Sequence, residues 1–310
     1  MKPIVRALVP CALLSAAAST ASAQLVFGST TTNTSNSCAM YLDVGTNAVT
    51  TLWNSASNKK VNGFAADPVN HRLYSNDAAR LNFWNYGDVG TTPTLIAGMY
   101  RTNDNVTFTA TGVDGLAFAA GNLYGATSFA SSIYKRGIYR IATTSDGMST
   151  PHCVMTPLWL DLSAGGGSTV LGGLEYNPAD NLFYATSTND TTGIGGQFGT
   201  GLYSIDAFGS GAVTKVADFP VGRTKVDGLA IGGGKFWMTE QEPGASRIDI
   251  YPYDPTTGTY GSTIYVPLTD ATQRATGAAW APGALVPTPS TLGLAGLAVG
   301  VAARHRRSAR

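Results

Sequence analysis

Short apolar runs separated by turn-forming residues cover the chain from residue 24 to about residue 285. Runs of four to seven residues that are rich in β-branched and aromatic residues and bounded by Gly, Asn and Asp predict β-strands rather than helices. In five places a Gly opens such a run, and the first four of these are followed by a second run, as at residues 181–186. The five glycines are Gly63, Gly115, Gly173, Gly228 and Gly277.

These runs form an internal repeat. The five glycines are 49 to 58 residues apart, and each complete unit adds a third run and a hairpin, most clearly at residues 201–206 and 212–216. Four short strands in about 50 residues are typical of one propeller blade. The body is therefore similar to bacterial β-propeller repeat domains, and we expect an all-β fold.

The two ends of the body complement each other. Residues 24–53 contain three strands that correspond to the second, third and fourth of a repeat, and residues 276–281 form a first strand with no successors. Joined together, the two pieces make one repeat length. This predicts a five-bladed β-propeller closed by one C-terminal and three N-terminal strands, which leaves no open sheet edge in the ring. A solenoid would need capping units instead of complementary fragments.

The N-terminus has the pattern of an export signal. Lys2 and Arg6 precede an apolar segment at residues 7–18, and the small residues at positions 21 and 23 flank Ser22. This arrangement predicts a signal peptide over residues 1–23, cut between Ala23 and Gln24.

The C-terminus carries a second short apolar segment. Twelve apolar or small residues, 292–303, follow a Pro-containing stretch and precede a basic end. As a helix they span roughly 18 Å, against a hydrocarbon core of roughly 30 Å, so a permanent transmembrane anchor is disfavoured. We expect a short hydrophobic helix that associates transiently with the membrane, with the basic end on the cytoplasmic side. The basic residues are Arg304, Arg306, Arg307 and Arg310.

Residues 286–310 as a whole resemble the PEP-CTERM sorting domain of bacterial surface proteins. The resemblance rests on the order of motif, apolar run and basic end, with Val286, Pro287, Thr288 and Pro289 as the motif. It implies recognition and cleavage by an exosortase-like processing enzyme and a final location in the cell envelope or the extracellular matrix. The chain departs from the family at Thr288, where the family motif has Glu. The alternative is a weak tail anchor without processing. The predicted domains are thus the signal peptide 1–23, the propeller 24–285 and the sorting tail 286–310.

Charge and cysteine content narrow the classes of partner. Without the two terminal signals the body has 14 basic and 19 acidic residues, which argues against nucleic acid as a partner. Cys38 falls in the closing blade and Cys153 two blades further round. Because a disulfide needs Cα atoms within about 7 Å of each other, we expect two free thiols.

The candidate ligand site follows from propeller geometry. Inner strands begin at one mouth of the central channel, so the residues before the repeat glycines should ring that mouth. Glu175, an acid within an inner strand, should point into or beside the same channel. Carboxylates around a narrow mouth can hold a cation or a polyhydroxylated ligand. Alternatively, Asp before Gly only bonds neighbouring amides and repeats because the blade repeats. The ring consists of Asn62, Asp114, Gly172, Asp227 and Thr276.

Three functions remain open from the sequence. We expect a propeller that binds glycan, such as exopolysaccharide, or other matrix components without catalysis. The alternatives are a carbohydrate-active hydrolase that uses Asp114, Glu175 and Asp227, and a purely structural envelope protein. Only two histidines, His71 and His152, lie in the body, and they have no metal-ligand spacing, so we predict no catalytic residues of a known motif, no metal and no cofactor.

Overall fold

The computed structural model describes residues 24–31, 37–55, 61–77, 80–86, 88, 94–97, 100–102, 107–108, 113–127, 136–144, 152–160, 171–188, 199–241, 246–268 and 273–282. These ranges form an all-β ring of five sheets, the five-bladed propeller that the repeat predicts. The predicted signal peptide and sorting tail lie outside the described residues. The described ranges contain no helix with the length and hydrophobicity that a membrane crossing requires.

The strands follow the predicted repeat in chain order. The N-terminal strands are β1 (Gln24–Thr31), β2 (Ser37–Asp43) and β3 (Ala48–Ser55). Blade one consists of β4 (Gly63–Asp67), β5 (Arg72–Asp77), β6 (Arg80–Asn85) and β7 (Thr94–Ala97). Each strand pairs antiparallel with the next, which is the order that places β4 innermost.

Blade two has more strands than the repeat predicts. Two short strands, β8 (Tyr100–Thr102) and β9 (Thr107–Phe108), come before its inner strand. Its four regular strands are β10 (Gly115–Ala119), β11 (Asn122–Thr127), β12 (Gly137–Thr144) and β13 (His152–Leu160). Strand β8 pairs parallel with β13 at the outer edge of blade two. The sheet of this blade therefore has six strands.

Blades three and four complete the repeats. Blade three consists of β14 (Leu171–Asn177), β15 (Leu182–Ser187), β16 (Gly201–Ile205) and β17 (Val213–Ala217). Blade four consists of β18 (Val226–Gly232), β19 (Lys235–Gln241) and β20 (Arg247–Asp254), and two short strands, β21 (Thr259–Tyr260) and β22 (Ile264–Pro267), both pair with β20.

The last strand, β23 (Gln273–Ala281), closes the ring by pairing with the first. Gln24 lies opposite Ala281 and Leu25 opposite Trp280 in an antiparallel ladder, and the sheet runs β23, β1, β2, β3. This confirms the predicted closure. We call the rim where the five inner strands begin the start rim, and the opposite rim, where they turn into the second strands, the turn rim.

The turns on the turn rim and at the outer hairpins explain part of the excess of Asp over Glu, which number 16 and 3 in the chain. Asp43 and Asp254 each accept hydrogen bonds from the backbone N–H groups two and three residues later, at 2.8 to 3.3 Å. Each turn ends in a left-handed residue, Asn47 (φ 57°) and Gly258 (φ 69°). Asp67 makes the same two bonds, and its turn ends at His71 (φ 52°). Asp in these places stabilises the turn locally.

Five apolar clusters fill the interfaces between neighbouring blades. Between blades three and four, for example, Leu202 and Tyr184 pack against Leu229 and Met238. Each fully buried side chain of this size contributes roughly 1.5–3 kcal/mol of transfer free energy. The core is therefore divided around the ring, and each blade is stabilised by contact with both neighbours.

The repeat glycines allow the inner strands to approach each other closely. A Cβ at Gly277 would lie 2.4 Å from the Cα of Gly63, and a Cβ at Gly63 would lie 2.6 Å from the carbonyl oxygen of Asp114. The same closeness continues from Gly115 to blade three, from Gly173 to blade four and from Gly228 to β23, with distances of 2.5 to 2.7 Å to backbone atoms. None of the five has a left-handed φ. Gly is present because a side chain would collide with the next blade.

Candidate functional site

The structure brings the predicted ring residues together at the start rim. The carbonyl oxygen of Asn62 accepts a 2.7 Å hydrogen bond from the backbone N–H of Gly277, next to Thr276. A Cβ at Gly172 would lie 3.0 Å from the Cα of Asp227. Together with the contact between Gly63 and Asp114, these short distances show that the backbones of neighbouring inner strands lie in contact. The inner strands therefore approach each other closely around the mouth of the channel.

The two carboxylates of the ring come from different blades. Asp114 and Asp227 belong to blades two and four, with Gly172 of blade three between them, and both are partly buried. Each has interaction partners within the fold. Among the residues that the structure describes, no group of three or more His, Cys, Asp or Glu side chains could hold a metal ion.

Glu175 lies deeper, beyond the repeat glycine of blade three. It pairs with Tyr184 across the β14–β15 ladder, and the equivalent residues of the other four inner strands are all Ala. Its side chain is only 8% exposed, and it accepts hydrogen bonds from the backbone N–H of Tyr176, at 3.2 Å, and of Trp280. The carboxyl group thus connects blade three to β23 in the closing blade. The equivalent alanines are Ala65, Ala117, Ala230 and Ala279.

Burial raises the pKa of Glu175 to about 8, and the two N–H groups lower it only in part. A carboxyl group with such a pKa is protonated at neutral pH, which is the state that a general acid needs. However, a group that is nearly inaccessible and bonded to two amides has no room for a substrate. The position of Glu175 favours a structural role.

A groove between blades one and two was not predicted from the sequence. It has a volume of about 570 Å³ and lies where Arg72, Gly121 and Asn122 mark the turn rim. The ring of Tyr74 from blade one lies parallel to the ring of Phe118 from blade two, at 9° with 6.1 Å between centroids. Both rings belong to the apolar cluster that forms the floor of the groove.

Polar groups border this aromatic surface. The guanidinium carbon of Arg72 lies 4.7 Å above the centre of the Phe83 ring, and Arg72 itself is exposed. Asn122 is partly buried, and its side-chain amide donates to the carbonyl oxygen of Ala120 at 2.9 Å. The groove therefore combines flat apolar faces with hydrogen-bonding groups at one rim.

Among the other residues noted in the sequence, the described side chains of His71 and Cys153 have no catalytic arrangement, and the side chain of His152 lies outside the described residues. His71 is exposed and stacks on Tyr86 with 5.7 Å between ring centroids. Cys153 is a free and fully buried thiol, and burial raises its pKa to about 12, so it is not a nucleophile at neutral pH. The side chain of Cys38 lies outside the described residues, as do Ala23, the sorting motif and the basic end of the tail.

Comparison with solved structures supports the propeller fold. A chain of a nidogen–laminin complex has a TM-score of 0.50 and 13% identity, with 84% of this chain and 98% of that chain covered. TolB of Acinetobacter baumannii has a TM-score of 0.49 and 14% identity, with 84% and 67% covered. A periplasmic gluconolactonase of Pseudomonas aeruginosa has a TM-score of 0.46 and 12% identity, with 84% and 99% covered. No family model and no curated protein matches the sequence. At these identities the likeness concerns the fold alone.

Proposed function

We propose that this protein is exported and that its propeller binds a carbohydrate of the cell surface or matrix without hydrolysing it. The observation that carries the proposal is the groove between blades one and two. Its open volume of about 570 Å³ is within the range of small-molecule sites. The bound unit would be a sugar ring or a short oligosaccharide.

The chemistry of the groove suits a sugar. The C–H face of a pyranose is apolar and packs on flat aromatic rings such as Tyr74 and Phe118, while its hydroxyl groups need hydrogen-bond partners. Arg72 and Asn122 supply such partners at the rim. A ligand that is apolar on one face and polar at its edges therefore matches the groove.

Hydrolysis by the channel carboxylates is the weaker alternative. A glycosidase needs two carboxyl groups about 5 to 9 Å apart with the sugar between them. Here Glu175 is buried and bonded to the amides of Tyr176 and Trp280, so it has no access to a sugar and cannot serve as one of the pair. This position favours binding over catalysis.

The same proposal includes the chain termini. Signal peptidase would release the propeller at Gln24, and the tail would hold it transiently at the membrane until an exosortase-like enzyme cuts near the motif. The closing strand ends at Ala281, so the motif at residues 286–289 follows the last blade after only a few residues. The tail is thus separate from the strands that hold the ring together.

The binding proposal is tested with substitutions in the groove. The purified protein is applied to an array of neutral β-glucans and chitooligosaccharides, and affinity for the sugar that binds is then measured by calorimetry. Arg72→Gln and Asn122→Ala should each weaken binding by about fivefold to tenfold, a loss of one or two hydrogen bonds. Because Arg72 is exposed, its replacement leaves the core intact.

Lys235→Gln is the matched control. Lys235 also lies at the turn rim, with its ammonium 5.9 Å from the centre of the Trp237 ring, but in blade four. Its replacement should leave sugar binding unchanged. An equal loss in the control, or an array without any bound sugar, would refute the proposal, and turnover of a bound sugar would establish the hydrolase instead.

A further inference from the structure

Two buried acids lie side by side at the start rim of blade four. Glu240 and Asp249 are directly opposite each other in the β19–β20 ladder and are 2% and 0% exposed. The hydroxyl of Tyr251 lies between them, 3.1 Å from Oε2 of Glu240 and 3.4 Å from Oδ2 of Asp249. Buried carboxylates are stable only when they are paired and hydrogen-bonded.

Two arginines cover these acids. Nε of Arg247 donates to Oδ1 of Asp249 at 2.7 Å, and Nη2 of Arg223 lies 3.5 Å from Oδ2 of the same residue. Nε of Arg223 lies 3.8 Å from Oε2 of Glu240. The side chains of Arg223 and Arg247 are 24% and 39% exposed, far more than the acids beneath them. A ligand that approaches this rim therefore meets guanidinium groups, with the carboxylates behind them.

Asp249 fixes Arg247 without using all of its donors. A guanidinium has five N–H donors, and Arg247 directs Nε and Nη2 to Asp249. Glu240 also accepts the backbone N–H of Lys225 at 3.0 Å, which fixes the loop that carries Arg223. Preorganised donors of this kind lower the entropic cost of binding an oxyanion.

An aromatic ring and a third cation extend the surface. Tyr265 is 59% exposed, and the guanidinium carbon of Arg247 lies 4.5 Å from the centre of its ring. Lys225 is exposed two residues after Arg223 in the same loop. The partly or fully exposed groups thus carry three positive charges beside an exposed aromatic side chain, in a body whose net charge is negative.

We infer that this surface binds a uronic acid unit of an acidic polysaccharide. Its carboxylate would accept hydrogen bonds from Arg247 and Arg223, since the planar guanidinium matches a carboxylate in two-point geometry. Its sugar ring would pack against the part of Tyr265 that the guanidinium of Arg247 leaves exposed. This site is independent of the groove proposed above, because it lies on the opposite rim and in another blade.

The purified full-length protein is titrated with hexagalacturonate and, for comparison, with the neutral maltohexaose. We expect binding of the acidic oligomer alone, and a lower affinity at higher salt. Tyr265→Ala and Lys225→Gln should each weaken binding by about threefold to fivefold. Neither side chain holds a buried acid, so both variants should keep the melting temperature of the parent.

Arg247→Lys separates charge from geometry. It keeps the positive charge that Asp249 needs but loses the planar pair of donors, and it should weaken binding by about tenfold. Lys235→Gln removes a charge from the turn rim of the same blade, and Arg72→Gln removes one from the groove. Both should bind hexagalacturonate as the parent does.

Three results would overturn the inference. These are no binding of hexagalacturonate at millimolar concentration, an equal loss in Lys235→Gln, and unchanged affinity in Arg247→Lys. If inorganic phosphate binds as tightly as the oligomer, the surface is a general oxyanion site and the uronate assignment is wrong. Failure here leaves the groove proposal standing, because hexagalacturonate is not needed to test it.

Discussion

At the scale of single residues, Glu175 is the position where one inner strand differs in residue type from the other four. Four inner strands have Ala at this place, and the fifth has a buried acid that reaches the backbone N–H of Trp280. Burial raises the pKa of the nearby Tyr86 hydroxyl, and the negative charges of Asp67 and Glu175 add to this rise. The interior near Glu175 therefore disfavours negative charge, and the carboxyl group is stable there in its protonated form.

This makes stability depend on pH in a defined direction. The unfolded chain loses the Glu175 proton near its usual pKa of about 4.5, whereas the folded chain keeps it to about pH 8. Below pH 4.5 the carboxyl group is protonated in both states and does not lower the free energy of unfolding. Between pH 4.5 and 8 the unfolded state gains by releasing the proton, so the free energy of unfolding falls as pH rises. Glu175→Gln should remove this dependence.

The variant should be more stable than the parent by roughly 2–4 kcal/mol at pH 9 and nearly equal to it at pH 4.5. Thermal melts of both proteins across this pH range measure the difference. Asp218→Asn, which removes an acid whose side chain is 84% exposed, is the control and should show no such trend. A Glu175→Gln variant that is less stable at pH 9 would show that the carboxyl group is charged and stabilised in the fold.

At the scale of strands, the repeat glycines determine how tightly the blades assemble. Each belongs to an inner strand or opens one, and the place of its missing Cβ is occupied by backbone of the next blade. Backbone cannot move aside as a flexible side chain can. One added methyl group must therefore displace an entire inner strand, with effects on both neighbours.

Gly277→Ala should lower the free energy of unfolding by about 2–4 kcal/mol, because the new Cβ would lie 2.4 Å from the Cα of Gly63. Gly199→Ala is the matched control, since its nearest neighbour is the hydroxyl of Tyr203 at 4.0 Å. Differential scanning calorimetry of the two variants tests this. Equal melting temperatures would mean that the blades have room to separate.

The strand order was predictable from sequence because close backbone approach requires Gly at a fixed spacing. The two fragments at the ends of the body also fitted one repeat, so the closing blade followed. The short strands β8 and β9 were not predicted, since three and two residues give no periodic pattern. They pair with β13 only because the chain between blades one and two lies along that edge.

The sites were harder to predict than the fold. The ring at the start rim follows from the repeat, and the structure brings its five members together. The groove depends on Tyr74 and Phe118 meeting across two blades, which sequence spacing does not determine. The proposed site in blade four depends on the register of the β19–β20 hairpin, which places Glu240 opposite Asp249.

At the scale of the whole molecule, both ends of the propeller lie on one rim. Gln24 begins β1 and pairs with Ala281, which ends β23, and both are at the turn rim. A propeller held at the membrane by its tail would thus have the turn rim, with the groove, towards the membrane. The surface of blade four that carries Arg223, Arg247 and Tyr265 would face away from the membrane.

Release would free the groove, and the proposed cleavage is directly measurable. Mass spectrometry of the mature protein from its native host should find an N-terminus at Gln24 and a C-terminus near Pro289. In a host without an exosortase, the C-terminus should remain at Arg310. A C-terminus at Arg310 in the native host would show that the tail stays as an anchor.

The pairing of β1 with β23 also fixes the order in which the molecule can be built. The first strand to be synthesised has its inner neighbour at the far end of the body, so its edge stays unpaired until nearly the whole chain is available. Contacts between segments that are distant in sequence form slowly. Until they form, the unpaired edge of the strand can pair with other chains and cause aggregation. A chain that crosses a membrane in an extended state postpones this pairing until both ends are on the same side. For a ring closed by its two ends, the first strand can therefore gain its inner neighbour only after the last strand has reached the same side of the membrane.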